Sequence, residues 1–271
     1  MAGPYYLLHG AFTPSARTRT FGFVEPPAPV DLVTLPARGR VFGAPRRPGL
    51  ADCAPSGRLR LDAIARWLQD VAYLDLEDAG LAEAAVWVLR RSRISVAPFP
   101  RFAEHLRLDT FCSGDGRMWA ERRTVITRTG DPRPLVQAIA LWVHLDPVSA
   151  EPTPLTAAEI KVYGDSVSDW QLPARLRHPR PAGTEPVSHW QFRAVDCDLA
   201  EHVNNAAYWA VLEEALLNGA EPDTMDAEIE FRAAAQPGEM MVLSGAEMCW
   251  ISSPSGELHA SIARHLSRGP E

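Results

Sequence analysis

The chain has 271 residues, of which 46% are hydrophobic and 23% are charged, and its formal net charge is −7. This composition is typical of a soluble globular protein with room for two small domains, and the negative charge argues against nucleic acid as its main partner. No apolar run approaches the roughly 20 residues that an integral membrane span needs, and nothing near Met1 has the pattern of a secretory signal.

The four cysteines lie far apart in the chain and form no CxxC pair. They are Cys53, Cys112, Cys197 and Cys249. This spacing favours reduced thiols in a cytoplasmic protein over disulfides or a structural zinc site. We therefore expect a cytoplasmic protein that binds no metal and no cofactor.

The first half of the chain predicts one helix followed by a series of strands. Residues 1–57 are rich in Pro and Gly and predict an N-terminal extension with a short first strand. A helix is predicted over 61–79, because apolar residues recur on one helical face and Gly80 follows at the expected C-cap. Four β-rich stretches come next, at about 86–96, 105–112, 117–128 and 135–145. This order predicts a domain over 58–146 in which an antiparallel sheet wraps one long helix.

The second half repeats this order after a proline-rich stretch. Residues 147–186 contain seven prolines and predict a linker with a short helix around 156–162. The domain that follows, 187–271, is predicted to contain a strand at 187–195, a helix at 202–217, and strands at 227–232, 240–251 and 257–266. The repeated order predicts an α+β fold in which two like domains pair about a pseudo-twofold axis.

The most informative stretch is residues 193–208, RAVDCDLAEHVNNAAY. A strand ends here and a helix is predicted to begin near His202, where unpaired backbone N–H groups could hold a carbonyl oxygen and stabilise an oxyanion. Asp198, just before that helix, could activate water as a general base or attack directly, and His202 could donate a hydrogen bond or a proton. A purely structural alternative, with Asp as an N-cap and His-Val-Asn-Asn as turn residues, is the more common arrangement on spacing alone.

The motif DxxxHVNNxxY, followed by WxxLEEA, resembles the second-domain motif of the acyl-acyl carrier protein thioesterases. The stretches 65–80, 87–91, 100–123 and 140–146 are similar to the first domain of the same family, so the resemblance extends over about residues 58–266. The wider hot-dog thioesterases have a related motif, D-x-x-G-H-V-N-N-x-x-Y, in which Gly stands where this chain has Glu201.

The resemblance implies a tandem (double) hot-dog fold, each half a long helix wrapped by an antiparallel β-sheet. It also implies hydrolysis of fatty acyl thioesters on the phosphopantetheine of acyl carrier protein, which releases free fatty acid and ends its synthesis. Asp198 and His202 fall on the family's Asp and His and are the predicted catalytic residues. The predicted substrate-binding residues are Val203, Asn204, Asn205, Tyr208, Trp67 and Asp70. A homodimer is compatible with the sequence.

Four arginines on neighbouring predicted strands are candidates for carrier-protein binding. They are Arg90, Arg91, Arg122 and Arg123. An acidic carrier protein and its phosphate require a basic surface of this kind. The alternative is that these arginines are ordinary solvent-facing strand residues.

Two departures from the plant enzymes leave the catalytic set incomplete. Ala200 stands where those enzymes have Asn, and Ala233–Ala235 stand where they have an acidic residue followed by Cys. Asp198 could act alone with the helix N–H groups, or Glu201 or Asp70 could supply the missing acid. A non-catalytic acyl-carrier or lipid-binding protein and a hydroxyacyl-thioester dehydratase remain alternative functions.

Overall fold

The structure is a computed structural model that describes residues 32–83, 85–167, 174–219 and 221–264. Its first half contains one long helix and five strands. They are β1 (Phe42–Arg46), α1 (Leu61–Asp78), β2 (Val86–Val96), β3 (Leu106–Gly116), β4 (Trp119–Arg128) and β5 (Asp131–Leu145). The predicted helix and the four predicted strands after it are confirmed. Apolar periodicity identified each element in the sequence, and short stretches with Pro or Gly marked its ends.

A short helix, α2 (Ala157–Tyr163), lies between the two halves, and its N-terminus is closed by a capping box of Thr156 and Glu159. The second half again contains one long helix and five strands. They are β6 (Val187–Phe192), α3 (Asn205–Leu217), β7 (Met225–Phe231), β8 (Gly238–Ser244), β9 (Met248–Ser252) and β10 (Leu258–Arg264).

All ten strands form one sheet in the order β1-β3-β4-β5-β2-β7-β10-β9-β8-β6, and every neighbouring pair is antiparallel. The halves join where β2 pairs with β7, with Arg91 opposite Glu230. The predicted α+β architecture of two like halves is therefore confirmed, whereas the domain boundaries at 57, 146 and 186 stay predictions. In the described part of the chain, no helix combines the length and the hydropathy that crossing a bilayer would require.

Several element bounds differ from those predicted: β3 ends later, at Gly116, β5 begins earlier, at Asp131, and β6 ends earlier, at Phe192. The stretch predicted as a single strand over 240–251 is two strands, β8 and β9, joined by a tight turn in which the Gly245 N–H donates to the Met248 carbonyl. The second long helix begins at Asn205 rather than near residue 202. Of the predicted N-terminal extension, residues 1–31 lie outside the described residues. Residues 32–35 form no strand and lie against the sheet, where Gln137 accepts the N–H groups of Leu32 and Val33.

The main core lies between the two long helices and the concave face of the sheet. It contains the apolar faces of α1 and α3 and the inward-facing residues of most strands. The other face of the sheet is covered by chain segments, including residues 174–180, where Glu230 accepts the backbone N–H of His178 and Pro179 accepts the indole N–H of Trp250.

The two long helices pack against each other through a buried ion pair. Glu213 of α3 accepts two guanidinium bonds from Arg58, with N–O distances of 2.8 and 3.2 Å, and each side chain is only 3% exposed. The same carboxylate accepts the N–H of Leu61, the first residue of α1, at 3.0 Å. One helix therefore supplies the negative charge that caps the N-terminus of the other.

We expect Glu213→Gln to lower the free energy of unfolding by about 3 kcal/mol, because it removes the charge that pairs with a buried guanidinium. Urea unfolding measures the change. The matched control is Glu214→Gln, since Glu214 is exposed and bonds only to Asn218 of its own helix end. That control should change the free energy by less than about 0.5 kcal/mol, and equal effects at the two positions would contradict the capping role.

Candidate active site

Asp198 lies at the start of a tight turn between β6 and α3. Its N–H donates to the His202 carbonyl at 3.1 Å, and its own carbonyl accepts the Glu201 N–H at 3.0 Å. Its carboxylate folds back over the turn, where Oδ1 accepts the Ala200 N–H at 2.9 Å. Asp198 is therefore part of the turn and not an N-cap.

The turn contains a left-handed residue at the position where the related hot-dog motif has Gly. Glu201 has a φ of +60°, a conformation that glycine adopts without strain and other residues adopt at a cost. A three-residue connection that ends in a left-handed residue is a common way to close such a turn. Glu201 thus stands at the Gly position of the related motif and has a backbone conformation that favours glycine.

Asn204 is the N-cap of α3. Its Oδ1 accepts the Ala206 N–H at 2.8 Å, while its Nδ2 donates to the Asp198 Oδ2 at 2.8 Å. Asn204 Oδ1 also accepts from Nε2 of Gln69, in the middle of α1, at 3.1 Å. A chain of hydrogen bonds therefore runs from the exposed Asp198 carboxylate, through Asn204, to the helix of the other half.

Three spaces meet at Gln69. The first is an open groove whose walls include Asp70, Asp198 and Asn204. The second is a small cavity of about 20 Å³, enough for one water molecule, which Asn205 and Ala206 of α3 also line. The third is a partly open cavity of about 300 Å³. Gln69 lines all three.

The large cavity lies inside the first half and has mostly apolar walls. Helix α1 contributes Ala72 and Leu76, the strands contribute Trp87 and Trp142, and the linker helix α2 contributes Ile160. A pocket of this composition suits an elongated apolar ligand. The linker is therefore a wall of the cavity as well as a connection.

Cys112 also lines this cavity. Burial raises the pKa of the Cys112 thiol to about 11. The thiol is therefore protonated at neutral pH and lacks the thiolate character of a catalytic cysteine.

The predicted site residues do not all meet at these spaces. The groove has Asp198, Asn204 and Asp70 in its walls, and Asn205 lines the small cavity. Asp70 is exposed and pairs with Arg46 at 3.1 Å. His202 is exposed and lines none of the three spaces.

Three predicted substrate contacts are core residues instead. Trp67, Val203 and Tyr208 are buried in the main core and line none of the three spaces. The Tyr208 ring packs against Phe231 with centroids 5.4 Å apart, and burial raises the pKa of its hydroxyl. The structure does not bring these residues to the groove.

The predicted carrier-protein surface of four arginines is wrong. Arg91, Arg122 and Arg123 are buried, and Arg122 and Arg123 pair with Asp75 and Glu121. The half-buried Arg90 donates to the carbonyl of Arg232. Strand periodicity correctly places these arginines on the faces of the sheet. Because other segments cover both faces at these positions, the guanidinium groups bind carboxylates and carbonyl groups inside the protein.

One described cluster has the composition of a metal site. His178, Glu228 and Glu230 place their potential ligand atoms within 4.8 Å of one another. However, the Glu230 carboxylate already accepts the His178 N–H and lies 3.3 Å from the Arg232 guanidinium. The contacts of Glu230 attach the segment 174–180 to the sheet, and they give no support to metal binding by this cluster.

Sequence reasoning missed Gln69, which lies where the three spaces meet. An internal signal for it exists. Counted from the first residue of each helix, Gln69 in α1 and Glu213 in α3 occupy the same position, and each contacts the N-terminus of the other helix. The two positions correspond only when α3 is counted from Asn205, its observed start, so the predicted start near residue 202 hid this equivalence.

We expect Glu201→Gly to leave the free energy of unfolding unchanged or to raise it by up to about 1 kcal/mol. The substitution relieves a left-handed conformation that costs about 1–2 kcal/mol, and the greater freedom of the unfolded chain offsets part of this gain. The control is the neighbouring Ala200→Gly, whose φ is not in the left-handed region. It should lower the free energy by about 0.4–1 kcal/mol. Thermal and urea unfolding test the contrast, and a loss of stability at both positions would contradict it.

Comparison with known proteins places the chain in a family. The models of the acyl-ACP thioesterase N-terminal domain and C-terminal domain match residues 50–160 and 181–253. An uncharacterized protein of Mycobacterium tuberculosis is 27% identical over 219 residues, which are 78% of this chain and 85% of that protein.

Solved structures share the fold at low identity. An acyl-ACP thioesterase from Bacteroides thetaiotaomicron has a TM-score of 0.71 at 15% identity, over 84% of this chain and 98% of that one. The 12:0-ACP thioesterase from Umbellularia californica has a TM-score of 0.69 at 15% identity, over 85% and 98% of the two chains. The predicted double hot-dog fold is confirmed, and because both domain models match in the predicted order, this chain belongs to the acyl-ACP thioesterase family.

Proposed function

We propose that this chain hydrolyses the thioester between a fatty acyl group and acyl carrier protein, releasing free fatty acid. Membership of the family supports the reaction class. The observation that carries the proposal is the hydrogen-bond chain Asp198–Asn204–Gln69, which links a carboxylate in an open groove to a mostly apolar cavity. A thioester hydrolase needs this juxtaposition, because water and pantetheine must reach one end of the acyl group while its alkyl chain is buried.

In the proposed complex the pantetheine arm lies in the groove and the acyl chain enters the cavity of the first half. The thioester then lies beside Gln69, the residue common to all three spaces. Burial of the alkyl chain stabilises the complex by about 0.8 kcal/mol per methylene. The depth of the cavity, bounded by α2, would therefore set the preferred chain length.

Asp198 is the proposed general base. Its carboxylate removes a proton from a water molecule, which attacks the thioester carbonyl carbon and gives a tetrahedral oxyanion. Asn205 begins α3 and has one of the backbone N–H groups that a helix leaves without an internal acceptor, so it can stabilise that oxyanion. When the carbon–sulfur bond breaks, the proton held by Asp198 passes to the thiolate of the leaving phosphopantetheine.

The departures from the plant enzymes leave Asp198 as the best candidate. Ala200 and Ala235 both contribute backbone atoms to the site, since the Ala200 N–H binds Asp198 and the Ala235 carbonyl accepts the Val203 N–H at 2.9 Å. Asp70 is engaged by Arg46. Of the three explanations for the incomplete catalytic set, the first therefore has the most support: Asp198 acts with helix N–H groups and without a second acid.

A basic surface for the carrier protein has to lie elsewhere than predicted. Two arginines at the groove have substantially exposed side chains, namely Arg66 at 43% and Arg193 at 70%. Each has an acidic neighbour, but the exposed guanidinium groups remain within reach of a phosphate. We propose that they contact the phosphopantetheine phosphate.

We expect Asp198→Asn to lower kcat/KM for acyl-ACP at least about 100-fold, because it removes the base but keeps a hydrogen-bonding side chain. His202→Gln should lower it less, because the His202 side chain is exposed and lies outside the groove walls. Release of free thiol from acyl-ACP thioesters of several chain lengths measures both effects.

Asp196→Asn is the matched control. Asp196 lies in the same groove wall, but its carboxylate accepts the Arg193 N–H and does not bind Asn204. The kcat of this variant should stay within about 3-fold of the parent, whereas its KM can change because Asp196 also pairs with Arg193, a proposed phosphate contact. Tight binding of acyl-ACP without thiol release would identify a lipid-binding protein instead, and an unsaturated thioester formed from hydroxyacyl-ACP would identify a dehydratase.

A further inference from the structure

Arg122 is a cation inside the proposed acyl cavity. It lies on the concave face of β4, its side chain is 10% exposed, and it lines both the small cavity and the large one. A plain hydrocarbon chain has no atom that could bind this guanidinium. Its presence therefore bears on which acyl groups the cavity accepts.

The guanidinium is held from one side only. Both of its side-chain hydrogen bonds leave from Nη1, to Asp75 Oδ2 at 2.7 Å and to Thr110 Oγ1 at 3.4 Å. Arg40 holds the other oxygen of the same carboxylate from outside, at 2.7 Å. Burial is the largest single influence on the pKa of Arg122 and would lower it, but Asp75, Tyr163 and Cys112 together raise the pKa, so the group stays charged.

A second polar group lies beside it. The Arg122 guanidinium carbon is 5.6 Å from the centre of the Tyr163 ring. The hydroxyl oxygen of Tyr163 is buried and makes no hydrogen bond of normal geometry among the described residues, but it lies close enough to Arg122 and Asp75 for both to affect its pKa. Burial raises the pKa of the Tyr163 hydroxyl to about 12, so it is a neutral donor at physiological pH.

These groups create a penalty that depends on the ligand. An unbranched alkyl chain that fills the cavity would bury the remaining N–H groups of Arg122 without acceptors, which is costly. An acyl chain with an oxygen atom at that point would bind them. Sites built to hydrogen-bond a ligand oxygen reject the analogue without it much more strongly than apolar pockets reject an extra methylene.

The position of Arg122 fixes where that oxygen should lie. Arg122 shares the small cavity with Asn205, at the helix start where the thioester is proposed to bind, and that cavity holds only about one water molecule. The guanidinium is therefore near the thioester end of the chain and not at its far end. The β-carbon of the acyl group is the position that fits.

We propose that this cavity selects acyl thioesters with a hydroxyl or oxo oxygen on the β-carbon, which Arg122 and Tyr163 bind, over unsubstituted acyl groups. The proposal rests on the placement of the acyl chain in the proposed function and names the substrate class for it.

Binding of non-hydrolysable probes tests the selection independently of catalysis. Dodecanoyl pantetheine with an amide in place of the thioester is compared by calorimetry with its β-hydroxy, β-oxo and ω-hydroxy forms. The β-oxygenated probes should bind the parent protein at least about 10-fold more tightly than the unsubstituted probe. Equal affinity, preference for the ω-hydroxy probe, or no binding of any probe would overturn the inference.

Variants assign the preference to the two residues. Arg122→Lys keeps a cation for Asp75 but loses the guanidinium fork, and it should reduce the preference to less than about 3-fold. Tyr163→Phe leaves the ion pair intact and should reduce the preference in part, so it serves as the second test if the lysine variant does not fold. The control is Arg40→Lys, which alters the other partner of Asp75 outside the cavity and should leave the preference unchanged.

Thiol release from the matching thioesters, measured in parallel, separates the two proposals. Preferential binding of β-oxygenated probes without thiol release would uphold the selectivity and overturn the hydrolase. Thiol release with equal rates for substituted and unsubstituted chains, and equal probe affinities, would uphold the hydrolase and overturn the selectivity.

Discussion

The contact between the two long helices is the constraint on which the rest of the structure depends. The ninth residue of each helix is polar and contacts the N-terminus of the other helix. Glu213 of α3 contacts Leu61, and Gln69 of α1 contacts Asn204. Because these contacts fix the helices relative to each other, they also fix where the ten-stranded sheet can wrap them. The groove and the small cavity lie along this helix pair, and the large cavity lies beside α1.

The two equivalent contacts differ in charge, and this difference explains why one end is the candidate active site. At the start of α1, a carboxylate and the buried guanidinium of Arg58 fill the space and neutralise the positive helix end. At the start of α3, the contact between the helices is between neutral amides, and the Asp198 carboxylate binds the Asn204 side chain and not the Asn205 N–H, which leaves that N–H for the oxyanion of the proposed reaction. A duplicated fold can thus have a structural ion pair at one position and a reactive site at the other.

Sequence alone predicts the elements well and the site only in part, for identifiable reasons. Periodicity located α1 and the strands because each has one face in the core. It placed the start of α3 too early because the backbone reversal at Glu201 uses a left-handed glutamate, where only glycine would have been a clear signal. It merged β8 and β9 because only a three-residue turn around Gly245 separates their two apolar patterns.

The misplaced arginines show a further limit of sequence reasoning. Because side chains alternate along a strand, the sequence indicates that neighbouring residues face opposite sides of the sheet. It does not indicate which side is covered by other segments, or by which ones. Arg122 is buried because its partner, Asp75, comes from the helix on the concave face. Arg91 is buried because the segment 174–180 crosses the other face, where the Arg175 carbonyl accepts a hydrogen bond from it. Such pairings between distant segments leave no local pattern.

The linker connects these observations, because it is both a spacer between the halves and part of the cavity. Helix α2 is closed by its own capping box, and its Glu159 lies 3.2 Å from His144 on β5, which holds the helix against the sheet. From there it presents Ile160 and Tyr163 to the cavity. The proposed base comes from the second half, the proposed acyl cavity lies in the first, and the segment between them supplies one wall of that cavity. A substitution in the linker can therefore change which acyl groups are accepted without touching the residues proposed for catalysis.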